Sequence, residues 1–319
     1  MELMLRRDIY FNSRKHADRD RVLDENDFPR VSLSSEQRAI LAKQKLTLVI
    51  LDNNKPGLAT VQAEMVGQWG IGDQKIIYVT NGDTSIQTVT GEQTLKRPLL
   101  SNHLGVPDLI ATATQFILEK AQPSDWIFFA SADVWILNPE RLKAYFADAL
   151  LQNSQLITSY CGGLGLRGML SLSDYYLRDG NVSKNTFRAS GLMTEFFGVR
   201  ADLARITLAN WNNPNVGRKC YQNLHQDPRL SKYISAGRGT VEAHFRYLMA
   251  QALGPGFGEK IFLMHPRQNY CDRVYPLEIG YTSTHSDTVR KQNVAVAEKY
   301  GFQTNMFPGL KKWLRDLDT

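Results

Sequence analysis

Asp125-Trp126-Ile127-Phe128-Phe129-Ala130-Ser131-Ala132-Asp133-Val134-Trp135 decides how the rest of this 319-residue chain is read. An apolar run of strand length ends on one carboxylate and then turns apolar again, so the acid closes a buried strand and needs a cation or a donor. In an open α/β sheet, ligands gather beyond the carboxyl ends of the strands. A lone acid there can hold Mg2+ or Mn2+ against a diphosphate. The plainer account of Asp133 is that it caps the turn or helix that follows.

The segments around it favour the first account. Residues 46–51 are a β-branched and aliphatic run, a buried strand. After Pro56-Gly57, residues Leu58, Val61, Met65, Val66 and Trp69 recur at helical spacing. Residues 75–80 read as the next strand, ending in Asn81-Gly82-Asp83, and Leu109, Ile110, Ala113, Phe116 and Ile117 predict a helix over 107–120. Strand, helix, strand, helix, strand predicts right-handed crossovers and a parallel sheet with its ligands at one edge. A helix over 141–151, started by Asn138-Pro139, and a strand over 155–160 continue the series. Beyond Cys161 the pattern loosens, with a strand at 196–199, a helix at 241–253 and a strand at 260–264. Residues 1–44 are polar and mixed in charge, an extension in which Ser34 or Ser35 caps a short helix leading to Lys45.

Composition narrows the function classes. The chain is 43% hydrophobic and 22% charged with a formal net charge of +6, which suits anionic ligands such as a nucleotide diphosphate, an acidic glycan or an anionic membrane surface. It has no arginine-rich tract, zinc-finger spacing or aromatic-basic RNA motif, so nucleic acid is not an expected partner. Cys161, Cys220 and Cys271 are odd in number and far apart, which suggests neither a disulfide framework nor a zinc knuckle. With no secretory apolar core and no run near ~18 apolar residues, the expectation is a cytoplasmic protein whose membrane contact is peripheral, at the inner face.

Taken in order, these segments resemble the nucleotide-sugar glycosyltransferases of the GT-A type, particularly the family-2-like group. The resemblance covers roughly residues 46–290. The polar turn Thr80-Asn81-Gly82-Asp83-Thr84-Ser85, the Asn-x-x-Gly of Asn102-His103-Leu104-Gly105 and the metal motif's counterpart Ser131-Ala132-Asp133 carry it. The first acid of the Asp-x-Asp pair is here Ser131, so the motif is degenerate. Phe187-Arg188-Ala189-Ser190-Gly191-Leu192-Met193 resembles the segment that closes over the donor sugar, Gly239-Thr240-Val241-Glu242 the place of the catalytic base, and Thr284-His285-Ser286 with Arg290 the late metal or diphosphate ligands.

The resemblance implies a Rossmann-type α/β/α sandwich around a mixed, mainly parallel sheet. Residues 45–160 would be the nucleotide-sugar-binding half, and 161–319 the acceptor-binding half with a C-terminal helix, intergrown into one domain. It implies transfer of a sugar to a glycan or lipid-linked hydroxyl, with inversion. Mn2+ or Mg2+ would sit on Asp133 and His285. Ser131, Asp133 and Arg290 would face the diphosphate, and Glu242 would take the acceptor proton. Asp52 and Asp83, at the ends of the first two strands, would meet the base or ribose.

Each assignment has a bland counterpart. A surface ion pair between Glu242 and Arg246 at i,i+4 accounts for Glu242, and turn chemistry accounts for Asp52 and Asp83. Trp211, Tyr221, Tyr233 and Tyr270 are sugar-stacking candidates that core packing explains equally well. His103, His225 and His244 read as ordinary polar or core histidines, and His265 as a lesser strand-end candidate. Gly163-Leu164-Gly165-Leu166-Arg167-Gly168 spells a dinucleotide fingerprint, but the polar stretch after it lacks the acid-ended second strand. The alternatives are a non-catalytic GT-A-like nucleotide-binding module and a nucleotidyltransferase, although Asp52-Asn53-Asn54-Lys55-Pro56-Gly57 is not the latter's glycine-rich basic loop.

Overall fold

The computed structural model describes residues 32–53, 56–82, 93–100, 102–132, 139–161, 191–213, 240–254 and 260–264, with isolated positions beyond. The first helix, α1 (Ser35–Ala42), starts at a capping box: the Ser34 hydroxyl accepts from the Gln37 amide and the Gln37 side chain accepts from the Ser34 amide. Next come β1 (Lys45–Asp52), α2 (Pro56–Gly67), β2 (Asp73–Thr80), β3 (Gln93–Lys96), α3 (Asn102–Leu118) and β4 (Trp126–Ser131). The described residues continue with α4 (Pro139–Leu151), β5 (Leu156–Cys161), β6 (Gly191–Arg200), α5 (Ala201–Thr207), a 3-10 turn (Leu208–Asn210), α6 (Thr240–Leu253) and β7 (Ile261–Leu263).

Among the described residues, seven strands make one sheet in the order β3-β2-β1-β4-β6-β5-β7. Pairing is parallel between β2 and β3, β1 and β2, β1 and β4, and β5 and β7. Strand β6 runs against both β4 and β5, so the sheet is mixed and mainly parallel, as expected. No helix among the described residues is long and apolar enough to cross a membrane.

Strand alternation distributes the core to both faces, which is why these strands are apolar almost throughout. Val49, Leu51, Val79, Ile127 and Phe129 pack under α3 and α6. Leu46, Leu48, Ile50, Trp126 and Phe128 face the other way, against Val66 of α2, Phe146 of α4 and Leu41 of α1. A run of aromatic rings ties the reversed strand to its cover: Phe129 stacks on Phe197 at 4.8 Å, Phe197 meets Phe245 at 4.5 Å, and Phe245 stacks on Trp211 at 5.7 Å. Such pairs add about 0.5–1.5 kcal/mol each beyond burial, and here they fix α6 over the sheet.

Several boundaries differ from the sequence reading. Helix α3 opens at Asn102 instead of Pro107, because a proline in the second turn removes one donor without ending the helix. Strand β6 spans ten residues, not four, running from Gly191, opposite Cys161, across a register shift to Arg200, opposite Trp126. Strand β3, Gln-Thr-Leu-Lys, is an edge strand with half-exposed side chains and no apolar run to announce it.

Candidate functional site

Chain order and strand order first part company at β1. From β1 the chain steps outward to β2 and β3, then returns to the opposite side of β1 for β4. Outward connections on opposite sides of β1 leave a crevice beyond the carboxyl ends of β1 and β4, the switch point where ligands of open α/β sheets bind. Asp52 ends β1 and Ser131 ends β4. The pair stays in step to the last residue: Leu51 is opposite Ser131, and the Ala132 amide donates to the Leu51 carbonyl at 2.9 Å.

Other termini reach the same edge. Parallel pairing brings the ends of β2 and β3 there, through Asp52 opposite Thr80 and Thr80 opposite Lys96. Strand β6 enters from it, because Gly191 pairs with Cys161 at the end of β5. Helix α6 returns to the start of β7, so its first turn, with Glu242 as the third residue, lies toward this edge as well.

Asp52 is fully buried. Its Oδ2 accepts hydrogen bonds from the Tyr78 hydroxyl and, at 3.1 Å, from the Thr80 hydroxyl. The Thr80 hydroxyl in turn accepts from the Gly82 amide at 3.0 Å, while the Asn81 amide donates to the Asp52 carbonyl at 3.2 Å. The carboxyl group thus locks the turn in which β2 ends. Across the switch point, Gln62 of α2 donates through Nε2 to the Ser131 carbonyl at 3.1 Å, which fixes the exit of β4. Sequence reasoning missed Gln62 and Tyr78 and took Thr80 and Asn81 only as part of a turn; a glutamine between the apolar Val61 and Ala63 of α2 was the available signal for the first.

Asn81 donates through Nδ2 to the Asn53 side chain at 2.8 Å. Its Oδ1 has no hydrogen-bond partner, although only 3% of the residue is exposed. A buried acceptor left open at this edge is what a ligand N–H or O–H would complete. Gly105 leaves space for the Asn81 side chain itself, since a Cβ there would lie 3.1 Å from Asn81 Nδ2.

Farther along the edge, Arg97 and Asp108 form a two-pronged pair, Nε to Oδ2 at 2.7 Å and Nη2 to Oδ1 at 2.8 Å. Asn212 donates to the same Oδ1 at 3.1 Å. Burial alone would raise the Asp108 pKa, but the hydrogen bonds from Arg97 and Asn212 and the Arg97 charge hold it below the ordinary carboxylate value. The same hydrogen bond raises the Arg97 pKa against the opposing effect of desolvation.

Of the predicted site residues, Asp52 and Ser131 come together at the switch point, and the backbone of Glu242 lies in α6. Asp83, Asp133, His285 and Arg290 lie outside the described residues, as do His265, Tyr221, Tyr233, Tyr270 and the glycines of 163–168. Two of the bland readings can be settled. Trp211 is a core residue, 3% exposed and stacked on Phe245. Arg246, in the same helix as Glu242, is buried, 7% exposed. His244 is buried at 3%, a core histidine.

The described residues do not assemble a metal site by themselves: no three His, Cys, Asp or Glu side chains come together among them. Asp52 is turned into hydroxyl contacts, and Ser131 offers a hydroxyl where a second carboxylate would bind a hard cation.

No protein-family model matches the chain, and no curated protein matches it. Solved structures do. Glucosyl-3-phosphoglycerate synthase from Mycobacterium tuberculosis with Mn2+, uridine diphosphate and glucosyl-3-phosphoglycerate is 15% identical with a TM-score of 0.36, over 56% of this chain and 65% of that one. The same enzyme with Mn2+, uridine-diphosphate-glucose and phosphoglyceric acid gives 14% and 0.37, over 64% and 74%. Mouse xyloside xylosyltransferase 1, in its apo form, gives 10% and 0.38, over 69% and 84%. The chain spans just under two thirds of the first of these. At such identities and scores, the chemistry of this chain has to come from its own residues.

Proposed function

We propose that the chain is a glycosyltransferase that moves a sugar from a nucleotide-sugar donor to a hydroxyl of a glycan or lipid-linked acceptor, with inversion. The observation that supports this reading is the switch point between β1 and β4, where Ser131 ends β4 two residues before Asp133 in the sequence. The open acceptor of Asn81 at the same edge supports a nucleotide there.

In this reading Asp133, two residues beyond Ser131, bears the divalent ion or the diphosphate, and His285 and Arg290 add positive charge. Expelling a nucleoside diphosphate builds negative charge on a phosphate oxygen, and groups that grip that oxygen more strongly as the bond breaks lower the barrier. Mn2+ or Mg2+, when bound, would supply a Lewis acid at that oxygen. Glu242 takes the proton of the attacking hydroxyl. Asp52 keeps the β2 turn in shape, and Asp83 beyond that turn meets the base or ribose.

Isothermal titration of a panel of nucleotide sugars, with and without Mn2+, followed by an assay for nucleoside diphosphate release, tests the proposal. Binding strengthened by Mn2+, with turnover, is expected. Binding without turnover would make the chain a nucleotide-binding module, and no binding to any donor would refute the reading.

A further inference from the structure

The carboxyl edge also carries a feature that nucleotide binding does not use. Leu99 and Leu100 follow β3, and Leu104 stands in the first turn of α3; they are 62%, 36% and 53% exposed. Lys96 and Pro98 are exposed beside them. The chain folds back here, since a Cβ on Gly105 would lie 3.2 Å from the Leu100 carbonyl oxygen, so these side chains share one shoulder where β3 hands over to α3. Arg97 pins its base, through its amide to the Thr80 carbonyl at 2.8 Å and its guanidinium to Asp108. The leucines are therefore held outward on a fixed support. From 93 to 107 the sequence contains Lys96, Arg97 and His103 and no acid, and the next acid, Asp108, is buried against Arg97.

We propose that this shoulder, Lys96 with Leu99, Leu100 and Leu104, is a docking surface for an anionic lipid bilayer. Apolar side chains enter the boundary between head groups and acyl chains while neighbouring cations meet lipid phosphates, and neither signal alone holds a protein firmly. The net charge of +6 strengthens the approach. A protein partner fits less well, because a stable interface buries about 800 Å² on each side, far more than a few projecting side chains supply. Docked in this way, the crevice at the switch point faces the membrane, an orientation suited to a lipid-linked acceptor. That orientation rests on the proposed function, whereas bilayer binding does not.

Sedimentation of the full chain with phosphatidylcholine vesicles, with and without phosphatidylserine, tests the surface. Wild type is expected to sediment with the phosphatidylserine vesicles and to be released by salt. The double variant Leu99→Ser with Leu104→Ser should lose about a hundredfold in affinity, on the order of tenfold for each leucine, and Lys96→Gln should lose about fivefold. Melting temperature should not change in either, since the replaced side chains are exposed. A wild type that stays in the supernatant, or a double variant that sediments equally well, overturns the proposal. So does a wild-type dimer that the double variant turns into a monomer, which would make the shoulder an interface between copies. Vesicle binding by a chain that binds no nucleotide sugar supports the docking surface while refuting the proposed function. Nucleotide-sugar binding without vesicle binding does the opposite.

Discussion

The Ala132 amide donates to the Leu51 carbonyl at 2.9 Å, one residue past the end of β4. This contact holds β4 to β1 right up to the switch point, so the positions of Ser131 and Ala132 are set by the sheet. A reactive group needs such support, because a displacement of about 1 Å at a reacting centre can cost a hundredfold in rate.

Asp52 should matter first for stability. Replacing it with alanine removes the acceptor that the Tyr78 and Thr80 hydroxyls share in a buried place, at a cost of about 1–3 kcal/mol. Tyr78→Phe removes one donor and should cost less. Urea denaturation of both variants checks the order, and a Tyr78→Phe loss equal to or larger than that of Asp52→Ala would contradict it.

The Arg97–Asp108 pair should give stability an acid limb. The Asp108 pKa is lowered in the folded chain, so the unfolded chain takes up the proton at a higher pH. The stabilisation is complete above the ordinary carboxylate value of about 3.9, falls as pH drops through the folded pKa, and is gone below it. Asp108→Asn should flatten this limb in melting curves recorded from neutral pH downward. Arg97→Met should cost about 1–3 kcal/mol at neutral pH, between the ranges for exposed and buried pairs, because Asp108 is nearly buried while about a third of the Arg97 side chain is exposed.

Glu242→Gln separates catalysis from binding. A lost general base lowers turnover by roughly 10²–10⁴-fold, while donor affinity measured by titration should stay near wild type. Unchanged turnover would remove Glu242 from the reaction.

Much of the sheet was legible because β1 and β4 are buried on both faces and so read as unbroken apolar runs, in Leu48-Val49-Ile50-Leu51 and Ile127-Phe128-Phe129-Ala130. The helices α2 and α3 announced themselves by spacing, and α4 by its Asn138-Pro139 start. The edge strand β3 did not, since half-exposed side chains leave no hydrophobic signature. Nor did the reversal of β6, whose direction depends on the route of the chain between β5 and β6 and not on its own residues. At the site, strand-end acids were easy to find. Their partners were hidden, because Tyr78 and Gln62 look like ordinary members of a strand and a helix until register brings Tyr78 beside Asp52 and burial aims Gln62 at the Ser131 carbonyl.

The most direct test of the central claim compares sugar transfer by wild type and Asp133→Ala, with melting curves of both. If the crevice beyond β1 and β4 is the donor site, transfer should fall by at least about a hundredfold, the scale of losing one group that stabilises charge in the transition state, with the melting temperature kept. Wild-type transfer rates in a folded Asp133→Ala variant would contradict the account.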